Sequence, residues 1–295
     1  MSKDIILTDK GTHFCGVFRA MNSPCEILLE APNENLASQW LKFAVTEVWR
    51  IEQKFSRYLL DNYLYQINHS DGKPFYVDVE TAKLLDFAEH CYRMSEGLFD
   101  VSSGILRKVW CFDGSDHIPD QVSIAPLLPR IGWHKISWHN PRIILPMGME
   151  IDLGGVAKEY AADRVALLLQ SVAPKYGCLV NLGGDIALGG VRCNDDCWRI
   201  GIESPDGRET EELSLSAGGL ATSGDVHRYL LKDGKRYSHI LDPRTGWPIE
   251  QVPRSVTVMA NSCTEAGLLA TLSLLCGREA ENFLDQQDVR YWCLR

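Results

Sequence analysis

The sequence predicts an α+β fold, and three observations lead to it. Four stretches repeat apolar side chains at the three-and-four spacing of a helix face. Short runs rich in β-branched and aromatic residues lie among them. The two kinds of segment do not alternate one for one, as a βαβ protein would require.

In chain order, Cys25 to Leu29 reads as the first clear strand. Asn35 to Tyr58 follows, with apolar residues at 41, 44, 45, 48, 51 and 55 and charges at Lys42, Glu47 and Arg50 between them, so it predicts a long amphipathic helix. A second helix begins near Asp78, repeats Leu84, Leu85, Ala88 and Cys91, and stops at Gly97. Arg142 to Leu145 is a strand. The third helix follows Gly154-Gly155, with Val156, Tyr160, Val165, Leu168 and Leu169 on one side. Cys178 to Leu182, Trp198 to Ile202, Tyr237 to Leu241 and Ser255 to Met259 are strands, and the fourth helix runs from about Ser262 to Gly277. No fixed-period repeat interrupts this order, so one domain over residues 1–295 is expected. Cys111 to Pro129, rich in Asp, Gly, Ser and Pro, reads as a long surface loop, either a boundary or a flap over a site.

Composition narrows the function classes. With 45% hydrophobic and 23% charged residues, the chain buries a core and is neither disordered nor a disulfide-stapled mini-protein. A net charge of −9 repels polyanions, so nucleic acid is not an expected partner. The longest apolar run, Leu268 to Cys276, is broken by Thr271 and Ser273 and is too short to span a bilayer. The start of the chain lacks an apolar signal segment, and most of the ten cysteines are scattered singly through apolar stretches, so a reducing, cytoplasmic setting is expected. Cys193 and Cys197 form the one close pair, with no second pair or nearby histidine to complete a zinc site.

Three motifs carry chemistry. Asp152-Leu153-Gly154-Gly155-Val156-Ala157-Lys158 sits where a strand is expected to end and a helix to begin, so free N–H groups, glycines and a lysine converge at a positive helix end suited to phosphate. A plain turn with a solvated lysine explains the same residues. Asn181-Leu182-Gly183-Gly184-Asp185 reads as a hairpin turn, though glycine also lets backbone approach a flat ligand closely. Ala221-Thr222-Ser223-Gly224-Asp225 precedes His239-Ile240-Leu241-Asp242-Pro243-Arg244-Thr245-Gly246, which joins a group titrating near neutrality to a rigid turn and an anion-binding arginine. A hydrogen-bonded histidine beside a structural turn is the competing reading.

Taken together and in order, these stretches resemble the ApbE family of FAD:protein FMN transferases. The resemblance runs through Phe18-Arg19-Ala20-Met21, Phe55-Ser56-Arg57-Tyr58, Gly97-Leu98-Phe99-Asp100, Trp110, Asp152 to Asp163, the Asn181 to Asp185 turn, Thr222 to Asp225 and His239 to Pro248. It implies a single α+β domain that binds FAD in a groove and uses Mg2+ at the diphosphate. It also implies transfer of FMN to a threonine or serine hydroxyl of an acceptor flavoprotein, with release of AMP. By the same resemblance Met21, Tyr58, Leu98, Phe99, Asp100, Asp152, Lys158, Ile240 and Leu241 bind FAD, the Gly155 carbonyl and Thr271 bind the metal, and His239 is the catalytic base for the attacking hydroxyl.

The chain departs from the family pattern in two places where a carboxylate is lost or gained and, more mildly, at Met21-Asn22-Ser23, where Asn-Ser replaces a usual Gly-Thr and keeps a hydroxyl. An acid is expected four residues before Thr271, but Gly267 stands there, which puts Mg2+ in doubt. Glu265 is the nearest acid, yet Ser262-x-x-Glu265 fits a capping box. Glu159 stands where glycine is usual, beside the expected phosphates, and must either turn outward or replace the lost ligand from across the groove. Two alternatives to transfer therefore remain: an FAD diphosphatase giving FMN and AMP, and an FAD-binding protein that has lost catalysis.

Overall fold

The computed structural model describes residues 4–193, 197–203, 209–226 and 228–295. Its strands are β1 (Ile6–Asp9), β2 (Phe14–Ala20), β3 (Ser23–Leu29), β4 (Pro74–Tyr76), β5 (Ser137–His139), β6 (Arg142–Ile144), β7 (Cys178–Leu182), β8 (Asp185–Gly189), β9 (Trp198–Glu203), β10 (Glu209–Leu215), β11 (Gly219–Gly224), β12 (Tyr229–Lys232), β13 (Lys235–Ser238), β14 (Ser255–Ala260) and β15 (Arg290–Leu294). Its helices are α1 (Glu34–Phe55), α2 (Tyr63–Asn68), α3 (Val79–Met94), α4 (Gln121–Ile124), α5 (Ala157–Val172), α6 (Cys263–Leu275) and α7 (Ala280–Asp285). The fold is α+β, as the sequence predicts.

An antiparallel sheet of eight strands, ordered β1-β2-β3-β7-β8-β11-β14-β15, divides the molecule. Side chains alternate across it because successive residues of a strand point to opposite faces. Ile27, Val180, Ala187 and Ala221 join the main core, which α1, α5 and α6 cover. Leu179, Ile186 and Leu220 point the other way, onto Trp198, Ile200 and Leu213 of the β9–β10 ribbon. The result is ribbon, sheet and helices in three layers.

The helices form where their apolar faces and caps require. In α1 the expected residues Leu41, Ala44, Val45, Val48, Ile51 and Phe55 are all buried, and the Asn33 side chain accepts the Leu36 N–H at the N-terminus. Such a cap is worth about 1 kcal/mol. Asp78 caps α3 and Ser262 caps α6 in the same way. Helix α6 is apolar almost all round and buried accordingly. Among the described residues no helix is long and apolar enough to cross a membrane.

Three expectations need correction. No strand precedes Gly154: β6 ends at Ile144, and 151–153 is extended chain outside any sheet, held by the Asp152 N–H donating to the Val101 carbonyl at 2.8 Å. Strand β13 ends at Ser238, so the expected Tyr237–Leu241 strand is displaced and His239 lies just beyond it. The 111–129 segment is more than a surface loop. It contributes Phe112, Ile118, Ile124 and Leu127 to a separate apolar cluster with Trp110, Leu230, Tyr237 and Trp247, and it contains α4. Its Asp and Pro residues read as loop because the apolar partners lie about a hundred residues away.

No disulfide joins the cysteines among the described residues, and Cys15, Cys25, Cys91, Cys178 and Cys263 are buried, as core thiols should be. Of the Cys193–Cys197 step, residues 194–196 lie outside the described residues.

Candidate functional site

Helix α5 starts differently from its neighbours. Val156 stands at its N-cap and no side chain caps the helix, whereas α1, α3 and α6 each have a capping oxygen. Gly154 and Gly155 are exposed just before it. An uncapped helix N-terminus with exposed backbone beside it attracts an anion. Lys158 is on the first turn, and its ammonium pairs with the Asp185 carboxylate at 2.7 Å. That acid is placed by the Gly183–Gly184 turn, where φ of +66° and +96° lets β7 reverse into β8 within two residues. The lysine expected to face phosphate is thus anchored from one side by a buried carboxylate.

Glu159, the next residue, is buried, and its Oε2 has no hydrogen-bond partner among the described residues. Burial, together with the neighbouring Asp185 charge, raises its carboxyl well above the usual range. Gly267 of α6 lies directly against it: a Cβ built on that glycine would come within 2.5 Å of Glu159 Cγ. The side chain of 159 fills the space that a side chain at 267 would need. Ser223 at the end of β11 and Thr271 on α6 bring their hydroxyls to 3.2 Å of each other. Glu265, by contrast, is committed to capping: its N–H donates to Ser262 Oγ and its carboxylate accepts the Asn261 N–H.

The end of β11 leads from this cluster to the histidine. Asp225 follows the strand and is gripped by Arg236 of β13 at 2.9 Å and Arg254 at 3.2 Å. His239 comes directly after β13, with Nδ1 3.1 Å from the Arg228 carbonyl and its ring edge-on to Phe112. If Nδ1 carries the proton it donates to that carbonyl, and Nε2 is left as an acceptor. Burial, with Arg228 adding to it, lowers the imidazole to about 4, so it is neutral at pH 7. Arg244 does not reach a distant anion. It makes a bidentate pair with Asp242, 2.9 Å and 2.7 Å, inside the Pro243 turn.

A model of the ApbE family matches residues 21–293. The chain belongs to the ApbE family. It is 34% identical over 240 residues to the FAD:protein FMN transferase of Vibrio cholerae, covering 78% of this chain and 71% of that protein. It is 30% identical over 267 residues to that of Klebsiella pneumoniae, covering 88% and 81%. The ApbE protein of Thermotoga maritima superposes with a TM-score of 0.85 at 28% identity, over 98% of this chain and 94% of that one. The flavin transferase ApbE of Vibrio cholerae does so with a TM-score of 0.80 at 27% identity, again over 98% and 94%.

The remaining positions that ApbE resemblance marked are spread over the neighbouring loops. Met21 and Asn22 form the β2–β3 turn with φ of +50° and +58°, and the Met21 N–H donates to Glu52 at 2.7 Å. Tyr58 is 70% exposed, and its hydroxyl accepts from the Arg57 guanidinium at 2.8 Å. Leu98 is half-buried and Phe99 buried, the Phe99 ring lying beside Gly155. Asp100 is buried and spends both oxygens inside the protein, on Ser102 and on the Trp133 N–H. Asp152 accepts the Gly154 N–H at 2.9 Å and pairs with Arg57. Ile240 and Leu241 bond back to the 248–249 segment. Lys158, Thr271 and Gly155 gather around the α5–α6 end, while His239, Ile240 and Leu241 follow the two-stranded β12–β13 hairpin.

Sequence reasoning missed two partners. Arg57 holds Asp152, and Asp185 holds Lys158. Both residues fall inside stretches that carry the family resemblance, yet their pairings span 95 and 27 residues, beyond the reach of local spacing rules. A surface depression lined by Cys276, Glu279 and Phe283 lies at the far end of α6 and includes none of these groups.

Proposed function

We propose that this chain is an FAD:protein FMN transferase, moving FMN from FAD onto a threonine or serine hydroxyl of an acceptor flavoprotein and releasing AMP. The observation that carries the reading within the structure is the imidazole of His239, neutral at pH 7 and held by the Arg228 carbonyl so that Nε2 is an acceptor. Membership of the ApbE family supports it independently.

In the reaction the acceptor oxygen attacks the phosphorus of the FMN half. The anhydride P–O bond breaks, its electron pair leaves with AMP, and the hydroxyl proton passes to Nε2 of His239. A base near pKa 4 is weak, but a diphosphate arriving beside it stabilises the imidazolium and raises that value as attack proceeds. Lys158 and the open N-terminus of α5 neutralise the diphosphate oxygens. Tyr58, Met21, Leu98 and Phe99 hold the flat rings, with Asp100, Asp152, Ile240 and Leu241 shaping the groove.

A Mg2+ ion fits the donor set in kind: the Thr271 hydroxyl, the Gly155 carbonyl and a buried carboxylate oxygen without a partner are hard oxygen ligands. When bound, it neutralises charge on the diphosphate. The acceptor is a flavoprotein rather than a nucleic acid, in keeping with the net charge of −9. The cysteines, scattered singly through apolar stretches, suit the reducing setting of the cytoplasm, where we place the protein.

The test is to incubate the protein with FAD, Mg2+ and a candidate acceptor and to follow acceptor mass and nucleotide products. An FMN adduct matched by AMP is expected. FMN and AMP formed equally without acceptor would mean a diphosphatase, and FAD that stays bound and intact would mean a binder.

A further inference from the structure

The α5–α6 pocket holds two buried carboxyl groups, Glu159 and Asp185, and Lys158 pairs with Asp185 alone. Asp185 Oδ2 meets that ammonium, whereas Glu159 Oε2 is buried with neither a hydrogen bond nor an ion pair among the described residues. Leaving such an atom unpaired is costly unless a proton or a cation meets it. Neutral oxygen donors stand close by. Thr271 Oγ1 and Ser223 Oγ touch at 3.2 Å, and Thr271 is one helical turn from Gly267, against which Glu159 lies.

The contact between 159 and 267 gives the observation its meaning. A Cβ at 267 would collide with Glu159 Cγ, so an acid at 267 has no room while the Glu159 side chain lies where it does. The two departures of this chain from the expected pattern are therefore one exchange, in which a carboxylate leaves α6 and another arrives from α5 in the same space.

We infer that Glu159 is the carboxylate ligand of a divalent cation in this chain, entering from α5 to fill the position that Gly267 leaves open and acting with Thr271. This deepens the proposed transferase function and rests on it for the identity of the site. Asp185 then stays with Lys158, and the cation takes up the charge left on Glu159.

The experiment uses Mn2+ as the probe and reads binding rather than turnover. Mn2+ is titrated into the full chain without FAD and followed by electron paramagnetic resonance, with the metal-induced rise in Tm as a second readout. The unaltered protein is expected to bind, Glu159→Gln to lose affinity at least tenfold while remaining folded, and the double variant Glu159→Gly with Gly267→Asp to recover most of it. Gly267→Asp alone is expected to unfold at lower temperature because of the collision. Unchanged Mn2+ affinity in Glu159→Gln, no Mn2+ binding by the unaltered protein, or a double variant no better than Glu159→Gly alone would each overturn the inference. FMN transfer, measured separately, distinguishes the two proposals. Transfer with no Glu159-dependent metal binding refutes this inference and leaves the transferase reading intact; Glu159-dependent binding with no transfer does the reverse.

Discussion

At the α5–α6 end, Lys158, Glu159 and Thr271 sit on helices, Asp185 begins a central strand, and Asp185 and Glu159 are buried beneath the first turn of α5. At the other end, His239 lies one residue past a four-residue strand in a two-stranded ribbon, half-buried and steadied by a separate apolar cluster. The first region fixes strong charges where the main core over-determines their positions. The second places a neutral imidazole on a peripheral unit, which under the proposed function is where a protein acceptor has to reach it. A transferase of the proposed kind, which must grip a diphosphate and also admit a macromolecule, benefits from that division.

The sharpest way to break the comparison is His239→Asn, which keeps a hydrogen bond to the Arg228 carbonyl within reach but removes the base. Transfer should fall by roughly 10²- to 10⁴-fold, while FAD binding, measured by equilibrium dialysis, stays within a few-fold. Equal loss of both would make the ribbon a binding element only.

On the buried side the largest effect is expected in stability. Lys158→Met leaves Asp185 and Glu159 facing each other without a cation and should cost about 3 kcal/mol in urea unfolding. It should also weaken FAD binding. Full stability in that variant would mean that the pocket is wetter than its burial implies.

How legible each region was in the sequence follows the same division. The helices were readable from spacing because their apolar faces repeat locally, as Leu41 to Phe55 of α1 shows. Strands β1, β2, β11 and β15 were not, since their sequences become strands only by pairing with neighbours in the large sheet. The His239 turn announced itself through Pro243 and Gly246. The charge balance at α5 did not, because it depends on Asp185 and on the close approach of Gly267, both far along the chain. Lys158, read locally as a phosphate ligand, and Asp185, just past the expected turn at Gly183, are the two halves of one ion pair.

A pH series tests the base from another side. With the His239 imidazole held near 4 in the folded state against 6.5 in the unfolded chain, protons prefer the unfolded form as pH falls. Its contribution to stability is therefore absent above about 6.5, turns unfavourable as pH drops toward 4, and levels off below. His239→Asn should remove that part of the acid sensitivity. The transfer rate should stay flat from about pH 6 upward as far as this group controls it, because the base is already neutral there.

The smallest effect is expected at Arg244, whose guanidinium is exposed and spent on Asp242. Arg244→Ala should lower stability by less than about 1 kcal/mol and leave FAD affinity nearly unchanged. A loss of affinity beyond tenfold would show that this arginine leaves Asp242 for the diphosphate.

The most direct measurement is a crystal structure of the His239→Asn variant with uncleaved FAD. The diphosphate is expected between the first turn of α5 and residue 239, with Lys158 on its oxygens and the FMN phosphorus turned toward the substituted side chain. A diphosphate bound at α5 with residue 239 facing away from it, or FAD bound elsewhere on the molecule, would rule out His239 as the base.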